Sequence, residues 1–188
     1  CHSAGCVSIA GLARTVAHAA ALQRWRPVFN RVIANSRGLA EQLAIGGLVA
    51  DEVIWNGTPV VGPRPALGET PVVAYAGRLV TKKGIQVLIR AMEIVSRRVP
   101  SARLVVAGDG DNRREAEQLA IQFGVAGSIE FTGHLDSRLM KQKTEAAWVV
   151  AVPTIVHEAF SNTAIETMMR GTAVVATEVG GFPEMIDN

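Results

Sequence analysis

Two glutamates, Glu158 and Glu166, stand at the ends of the stretch EAFSNTAIE, with seven residues between them. The stretch follows an apolar run and indicates the start of a helix, whose free backbone N–H groups at residues 161–164 can bind an anion. A carboxylate on either flank can accept charge-assisted hydrogen bonds from vicinal hydroxyls. The spacing therefore predicts a site for a ligand with phosphates in its middle and a polyhydroxylated ring at each end.

Each glutamate also has a purely structural interpretation. Thr163 and Glu166 fit a capping box, in which the glutamate accepts a hydrogen bond from the backbone N–H of the threonine. Glu158 would be favoured near the positive end of the helix. For either glutamate alone the structural interpretation is the better one. The pair, with Ser161 and Asn162 between them, favours a nucleotide sugar, with Glu158 facing the sugar and Glu166 the ribose.

Two cations occur earlier in the chain at a similar place, where an apolar run is followed by the start of a helical pattern. Arg78 and Lys83 lie on either side of a short loop in GRLVTKKG (77–84), which leads from an apolar run into a helical pattern. Backbone N–H groups at the helix start, joined by two cations, suit a diphosphate. Solvated surface charge is the alternative interpretation, and position alone does not choose between them.

A glycine-rich turn, GDGD (108–111), follows the next apolar run. It does not fit the dinucleotide fingerprint, because Arg113 stands where the third glycine should be. A tight turn is the better interpretation. Gly108 and Gly110 would still allow a ligand to approach the backbone closely, since they carry no side chain.

The elements that would position these residues alternate along the C-terminal two thirds of the chain. Apolar, β-branched runs predict strands, and apolar residues at helical spacing predict the helices between them. Strands joined in this way form a parallel sheet with helices on both faces, and ligands bind beyond the carboxyl ends of its strands. The predicted strands are 72–77, 103–108, 129–133, 148–153 and 173–177, and the predicted helices are 84–99, 112–123 and 136–146.

The first 55 residues repeat the same alternation more weakly, with helices at about 9–24 and 37–45 and strands at 31–35 and 51–55. Residues 56–71 carry four prolines and three glycines, a composition that indicates an interdomain linker. We therefore expect 1–55 to be the end of one α/β domain and 72–188 to be a second one, cut short at its C-terminal end. An upstream segment is also expected.

Composition excludes several classes of protein. Hydrophobic residues make up 48% of the 188 residues and charged residues 19%, which is typical of a globular protein. A net charge of +2 does not favour nucleic-acid binding. The longest apolar run, 146–156, contains a proline and is too short to cross a bilayer. No signal peptide is visible. The two cysteines are expected to be reduced thiols, which favours a reducing, cytoplasmic setting.

The N-terminal cysteines and one basic segment have two interpretations each. Cys1 and Cys6 are expected to be reduced thiols rather than a disulfide or metal site, and His2 adds little to them. The segment LQRWRPVFNR (22–31) is basic and aromatic, which would suit peripheral contact with an anionic membrane at its inner face. A solvated helix edge is the interpretation we favour.

Four motifs in order resemble the donor-binding half of a retaining glycosyltransferase of family 4, which has the GT-B fold. AGRLVTKKG is similar to the family's AGRL-x-x-x-KG loop, LVVAGDGDNR to its strand and glycine turn, and IEFTGHL to its F-x-G segment. HEAFSNTAIETMMRGTAVVATEVGGFPEMI resembles its E-x7-E element and the tail that follows. The resemblance runs from about Val72 to the end. Ala159, Ser161, Thr167 and Ala173 depart from it, by small changes that blur donor choice more than reaction class.

The resemblance implies a GT-B protein with two Rossmann-like domains and a role for each candidate residue. Arg78 and Lys83 would hold the diphosphate of a UDP- or GDP-sugar, Glu158 would contact the transferred sugar, and Glu166 would contact the ribose. Catalysis would rest on Glu158, Arg78 and Lys83, without a cofactor or metal. The remaining donor-binding residues would be Gly77, Gly108, Gly110, Ser161, Asn162 and Thr163, and the glycines at 180–181 would let a loop pass close to the site.

The implied reaction transfers a sugar to an acceptor hydroxyl with retention of anomeric configuration, in polysaccharide or glycolipid assembly. A sugar-nucleotide epimerase, a phosphorylase on the same fold and a non-catalytic nucleotide-binding fragment are the alternatives. The sequence does not give the base, the sugar or the acceptor. It also leaves open whether His134 or His157, both expected near the cleft, contacts the donor.

Overall fold

The computed structural model describes residues 8–59, 62 and 64–186. The thiols of Cys1 and Cys6, and His2, lie outside the described residues. The chain divides into two compact units, the first ending at Trp55 and the second beginning at Asn56.

The first unit is a short α/β arrangement. Helices α1 (Ile9–Trp25) and α2 (Arg37–Ile45) are capped by the hydroxyls of Ser8 and Ser36, and the parallel strands β1 (Ile33–Ala34) and β2 (Glu52–Val53) pair with each other. The order of elements is the predicted one, but each strand is only two residues long. Beside this short ladder, the backbone N–H of Val32 donates to the Asp51 carboxylate at 2.7 Å.

The basic and aromatic segment 22–31 covers the end of α1 and a following 3₁₀ turn, Arg26–Val28. Trp25 is 62% exposed and Val28 is 77% exposed, while Arg26 forms an ion pair with Asp51 at 2.8 Å. Within the described ranges, no helix has both the length and the apolar character needed to span a bilayer.

The second unit is a five-stranded sheet with strand order β5-β4-β3-β6-β7, and every neighbouring pair is parallel. A helix follows each strand, which confirms the predicted α/β class. The described linker residues form no helix or strand. The strands are β3 (Val72–Ala76), β4 (Arg103–Ala107), β5 (Ile129–Gly133), β6 (Val149–Val152) and β7 (Ala173–Ala176), and the helices are α3 (Ile85–Arg98), α4 (Arg113–Gln122), α5 (Ser137–Glu145), α6 (Asn162–Met169) and α7 (Phe182–Met185).

Helices cover both faces of this sheet and form two separate cores. One core joins α3 and α4 to the sheet through residues such as Leu88, Met92 and Ala120. The other joins α6 and α7 through Ala164 and Phe182. The apolar spacing in α3 explains its position, because the buried residues of this helix recur at intervals of three or four: Ile85, Leu88, Ile89 and Met92.

The order of the strands reverses at the centre of the sheet. The chain proceeds from β3 outward to β4 and β5, and then returns to place β6 on the other side of β3. In an open parallel sheet such a reversal opens a crevice at the carboxyl ends of the two central strands. The loops after β3 and β6 therefore meet where a ligand is expected.

These two loops are joined by a close backbone contact. Gly84 begins α3 with φ of 71°, after a 3₁₀ turn at Thr81–Lys83 that the sequence did not reveal. An added Cβ at Gly84 would lie 1.8 Å from the carbonyl oxygen of Pro153, just after β6. The backbone N–H of Ile155 also donates to the carbonyl of Lys82 at 3.0 Å. Only glycine allows the two loops to approach so closely.

Replacing Gly84 with alanine should destabilise the fold more than the same change at Gly124. Both glycines have a positive φ, 71° and 69°, so both variants carry the left-handed backbone cost of about 1–2 kcal/mol. Nothing lies within 4 Å of an added Cβ at Gly124, whereas Gly84 would clash. Denaturant unfolding should show a further loss of about 1–3 kcal/mol for Gly84→Ala. Equal losses in the two variants would contradict the loop contact.

Candidate functional site

Three adjoining pockets follow the crevice at the carboxyl ends of β3 and β6. The outer pocket, of about 230 Å³, is lined by Arg78, Lys82, Lys83, His157 and Glu158 among others. The central pocket, of about 210 Å³, shares Lys83 and Glu158 with it and extends to Ser161, Asn162 and Thr163. The helix pocket, of about 500 Å³, shares Thr163 with the central one and contains Glu166. Most of the predicted site residues thus line one continuous crevice.

Lys83 and Glu158 form an ion pair where the outer and central pockets meet. Lys83 Nζ lies 2.5 Å from Glu158 Oε1, and the two side chains are 25% and 19% exposed. Both groups are largely removed from water, so their attraction is screened less than that of a surface pair. The crevice therefore has a cation and a carboxylate side by side, each neutralising the other.

A hydroxyl holds the second oxygen of the same carboxylate. Thr154 Oγ1 donates to Glu158 Oε2 at 2.8 Å, and the carbonyl oxygen of Thr154 accepts a hydrogen bond from the hydroxyl of Thr177. Thr154 is buried and follows directly after β6 and Pro153. Glu158 is thus oriented by groups from the ends of two strands, β6 and β7.

The backbone of Glu158 is held by the loop that follows β7. Gly180 has φ of 63°, and an added Cβ there would lie 2.0 Å from the Glu158 carbonyl oxygen. The backbone N–H of Gly181 donates to the same oxygen at 2.8 Å. The paired glycines therefore let this loop pass against the site, as the sequence predicted from the family resemblance.

Arg78 is exposed and lines the outer pocket, and its backbone is anchored by a buried phenol. The hydroxyl of Tyr75 donates to the Arg78 carbonyl at 2.9 Å. Burial, and to a lesser extent the nearby Glu158 carboxylate, raises the pKa of Tyr75 well above its usual value. The phenol therefore remains a hydrogen-bond donor. It fixes the loop and leaves the Arg78 guanidinium at the mouth of the crevice.

Helix α6 supplies the helix start that lines the crevice. Its N-cap is Ser161, whose hydroxyl accepts from the backbone N–H of Ala164 at 3.3 Å. The capping-box interpretation of Thr163 and Glu166 is therefore wrong, because the helix begins two residues earlier than that interpretation requires. The first-turn N–H groups of Asn162 and Thr163 have no carbonyl four residues back in the helix. Both residues line the central pocket.

The start of α3 is less accessible than the sequence led us to expect. Gly84 and Ile85 are both buried, and Gly84 packs against Pro153. The cations of this loop, Arg78 and Lys83, line the crevice, whereas α6 contributes the helix start to it.

Glu166 is exposed in the helix pocket, which lies between α5 and α6. The pocket also contains three cations, Arg138, Lys141 and Arg170. Arg170 Nε is 3.4 Å from Glu145 Oε1, so this cation is already paired. Glu158 and Glu166 therefore face different pockets, on either side of the start of α6.

The predicted glycines have different positions. Gly77 lines the central pocket. An added Cβ would lie 1.9 Å from the Gly77 carbonyl oxygen at Gly108, and 2.4 Å from that of Leu79 at Gly110. Neither Gly108 nor Gly110 lines the three pockets. Their lack of a side chain is required by the Arg78 loop that packs on them.

The two histidines expected near the cleft have different positions. His157 lines the outer pocket, while His134 is exposed after β5 and lines none of the three pockets. In the described part of the chain, no three histidine, cysteine, aspartate or glutamate side chains cluster as a metal site would require.

Sequence reasoning missed two buried residues that organise the site, Tyr75 and Thr154. Tyr75 lay inside an apolar strand pattern, where it looked like core. Thr154 directly follows a strand on which the site depends, and a hydroxyl at a strand's carboxyl end is a signal that could have identified it.

Tyr75 is the single tyrosine of the chain, so its ionisation can be observed alone. An unfolded tyrosine ionises at about pH 10, and the folded chain keeps its proton to higher pH because the pKa is raised. The unfolded state therefore binds fewer protons above about pH 10, and stability falls as pH rises beyond it. Phenolate absorbance should appear only with loss of circular dichroism. Ionisation near pH 10 in the folded chain would contradict the buried position.

The Lys83–Glu158 pair should show measurable coupling. Lys83→Met and Glu158→Gln are each expected to lower the unfolding free energy, because each leaves a partly buried charge without its partner. The double variant should lose less than the sum, by about 1 kcal/mol or more. The exposed pair Arg31–Glu52, treated in the same way, is the control and should couple by less than about 1 kcal/mol. Additive losses at Lys83 and Glu158 would show that the pair does not form in solution.

Comparison with known proteins places this chain in a family. An uncharacterised glycosyltransferase of Methanocaldococcus jannaschii is 41% identical over 115 residues, covering 61% of this chain and 29% of that protein. The lipopolysaccharide core biosynthesis glycosyltransferase LpsE of Rhizobium meliloti is 33% identical over 158 residues, covering 80% of this chain and 44% of that protein. The chain thus spans less than half the length of these curated relatives.

Among solved structures, Anabaena HepE in complex with UDP-glucose has a TM-score of 0.77 to this chain. The two sequences are 23% identical, and the match covers 92% of this chain and 52% of the HepE chain. At this identity the likeness shows the fold alone, which is the predicted GT-B type. The model of the family described as glycosyl transferases group 1 matches residues 63–188, more than half of the chain. The chain therefore belongs to the glycosyl transferases group 1 family.

Proposed function

We propose that this chain carries the donor site of a retaining glycosyltransferase of family 4, which uses a nucleotide-diphosphate sugar. The observation that carries the proposal is the meeting of Lys83, Glu158 and the start of α6 in one crevice, with Arg78 and Glu166 at its two ends. Cations and free N–H groups bind phosphate, and carboxylates bind hydroxyls. Glu158, the start of α6 and Glu166 would then follow the order of sugar, diphosphate and ribose in such a donor.

The diphosphate is expected where the central and outer pockets meet, beside Lys83, which lines both. As the bond between the anomeric carbon and the diphosphate oxygen breaks, negative charge accumulates on the leaving group. Lys83, Arg78 and the first N–H groups of α6 would stabilise that charge in a crevice partly closed to water. The acceptor hydroxyl forms the new bond to the anomeric carbon, and its proton passes to the leaving diphosphate oxygen.

The two glutamates would bind the two rings. Glu158 lies between the outer and central pockets, where it would accept from hydroxyls of the transferred sugar. Glu166 lies beyond Thr163 in the helix pocket, where it would accept from the ribose. This separation accounts for the seven-residue spacing, because the start of α6 must lie between the two carboxylates.

Donor binding would require the Lys83–Glu158 pair to separate. Each charge of the pair neutralises the other at 2.5 Å. A bound donor offers a phosphate to Lys83 and hydroxyls to Glu158, so both groups exchange one partner for another. The pair would then keep two charges in the crevice at low cost until the donor arrives.

The acceptor and the setting are inferred from the family. LpsE is a glycosyltransferase of lipopolysaccharide core biosynthesis, which supports a saccharide or glycolipid acceptor in polysaccharide or glycolipid assembly.

Retention of anomeric configuration can be tested by the anomeric proton coupling of the first-formed glycoside. An inverted product would contradict assignment to a retaining family.

Calorimetric titration with UDP and GDP tests the proposed site. At least one of the two should bind, and Arg78→Ala and Lys83→Ala should each weaken binding about tenfold or more, because each removes a charge-assisted contact to phosphate. Arg97→Ala is the control, since Arg97 is 73% exposed on α3 and pairs with Glu93. Absence of binding by both nucleotides, or equal affinity in all variants, would refute the proposal.

A further inference from the structure

The side chain of Thr154 forms a hydrogen bond with the Glu158 carboxylate. Its hydroxyl is buried, with the residue only 1% exposed, and it donates to Glu158 Oε2 at 2.8 Å. We propose that Thr154 is a positioning residue, which orients the Glu158 carboxylate so that Oε1 faces the sugar of the donor. This inference rests on the proposed function of the same crevice.

Thr154 is itself held firmly enough to impose an orientation. Its carbonyl oxygen accepts from the Thr177 hydroxyl, and the backbone N–H of Thr177 donates to Val152 at 3.3 Å. Pro153 precedes it and restricts the backbone. A hydroxyl has a single proton, and Thr154 donates it to Oε2. This hydrogen bond leaves Thr154 no second proton to donate to Oε1.

The need for such a residue follows from the Lys83–Glu158 pair. Lys83 contacts Oε1 and Thr154 donates to Oε2. When Lys83 turns to the diphosphate, Oε1 becomes available to the sugar, and Thr154 is the side chain that still fixes the carboxylate. The Gly181 N–H fixes only the Glu158 backbone, so it does not set the rotation of the carboxylate.

A buried hydroxyl with a purely structural role would behave differently. Its loss would lower stability, and any effect on binding would fall equally on the free nucleotide and on the nucleotide sugar. A positioning role predicts a selective loss. The quantity that separates them is the sugar increment, defined as the Kd of a nucleoside diphosphate divided by the Kd of its sugar conjugate.

The experiment measures this increment by calorimetry for UDP with UDP-glucose, UDP-galactose and UDP-N-acetylglucosamine, and for GDP with GDP-mannose. The conjugate with the largest increment in the wild type is then used for the variants. Thr154→Val keeps the shape but lacks the hydroxyl, and should reduce the increment about five- to tenfold while the Kd of the free nucleotide changes less than about twofold. Thr154→Ser retains the hydroxyl and should restore most of the increment.

Thr172→Val is the matched control. Thr172 is also a buried threonine, 2% exposed, but it precedes β7, at the end of the strand opposite the crevice. The same substitution there should leave both affinities unchanged. Unfolding midpoints of all variants establish that each is folded at the temperature of the titration.

The outcomes separate this inference from the proposed function. If UDP and GDP both fail to bind the wild type, the proposed function and the role of Thr154 fail together. If Glu158→Gln removes the increment and Thr154→Val leaves it intact, only the role of Thr154 is refuted. An equal weakening of nucleotide and conjugate by Thr154→Val, no increment with any conjugate, or no recovery in Thr154→Ser would also refute it.

Discussion

The contact between the loops after β3 and β6 is the constraint on which the crevice depends. Gly84 must lie against the Pro153 carbonyl for Lys83 to reach Glu158 at 2.5 Å. A side chain at residue 84 would separate the loops, and with them the cation and the carboxylate. Stability and ligand chemistry are thus tied to one glycine, which itself contacts no ligand in the proposed arrangement.

A second set of contacts extends this constraint to the neighbouring strands. Gly108 and Gly110 carry the Arg78 loop, and Gly180 carries the backbone of Glu158. At each of these glycines, main-chain atoms of a neighbouring loop lie where a Cβ would be, and that loop carries a charged side chain. The glycines of the crevice therefore act on the ligand site through loop packing.

The sequence was sufficient for the parallel sheet and for the residues at its carboxyl edge. The strands were predicted from largely apolar runs, and the charged residues of the crevice lie in the loops that follow β3 and β6. The meeting of Lys83 and Glu158 depends in addition on the strand order, which places β6 beside β3 and which no local pattern gives. The sequence allowed two starts for α6, because Ser161 and Thr163 are both good caps and only the backbone conformation distinguishes them. Thr154 and Tyr75 escaped notice although their partners, Glu158 and Arg78, lie only four and three residues further along the chain. Tyr75 occupies an apolar strand run and Thr154 follows one, so both looked like core residues, and only their burial in the packed sheet reveals the role of each hydroxyl.

The pairing of β3 with β6 has a kinetic consequence. Val73 lies beside Val149, so the two halves of the crevice are joined by one of the least local contacts of the sheet. Closing so large a chain loop costs entropy before any contact compensates for it, and such pairings slow folding. The parallel pairing of β3 with β4 can form earlier, since Val73 and Leu104 are closer in sequence than Val73 and Val149. Ligand-binding ability should therefore be acquired late in refolding, after most helical signal has returned.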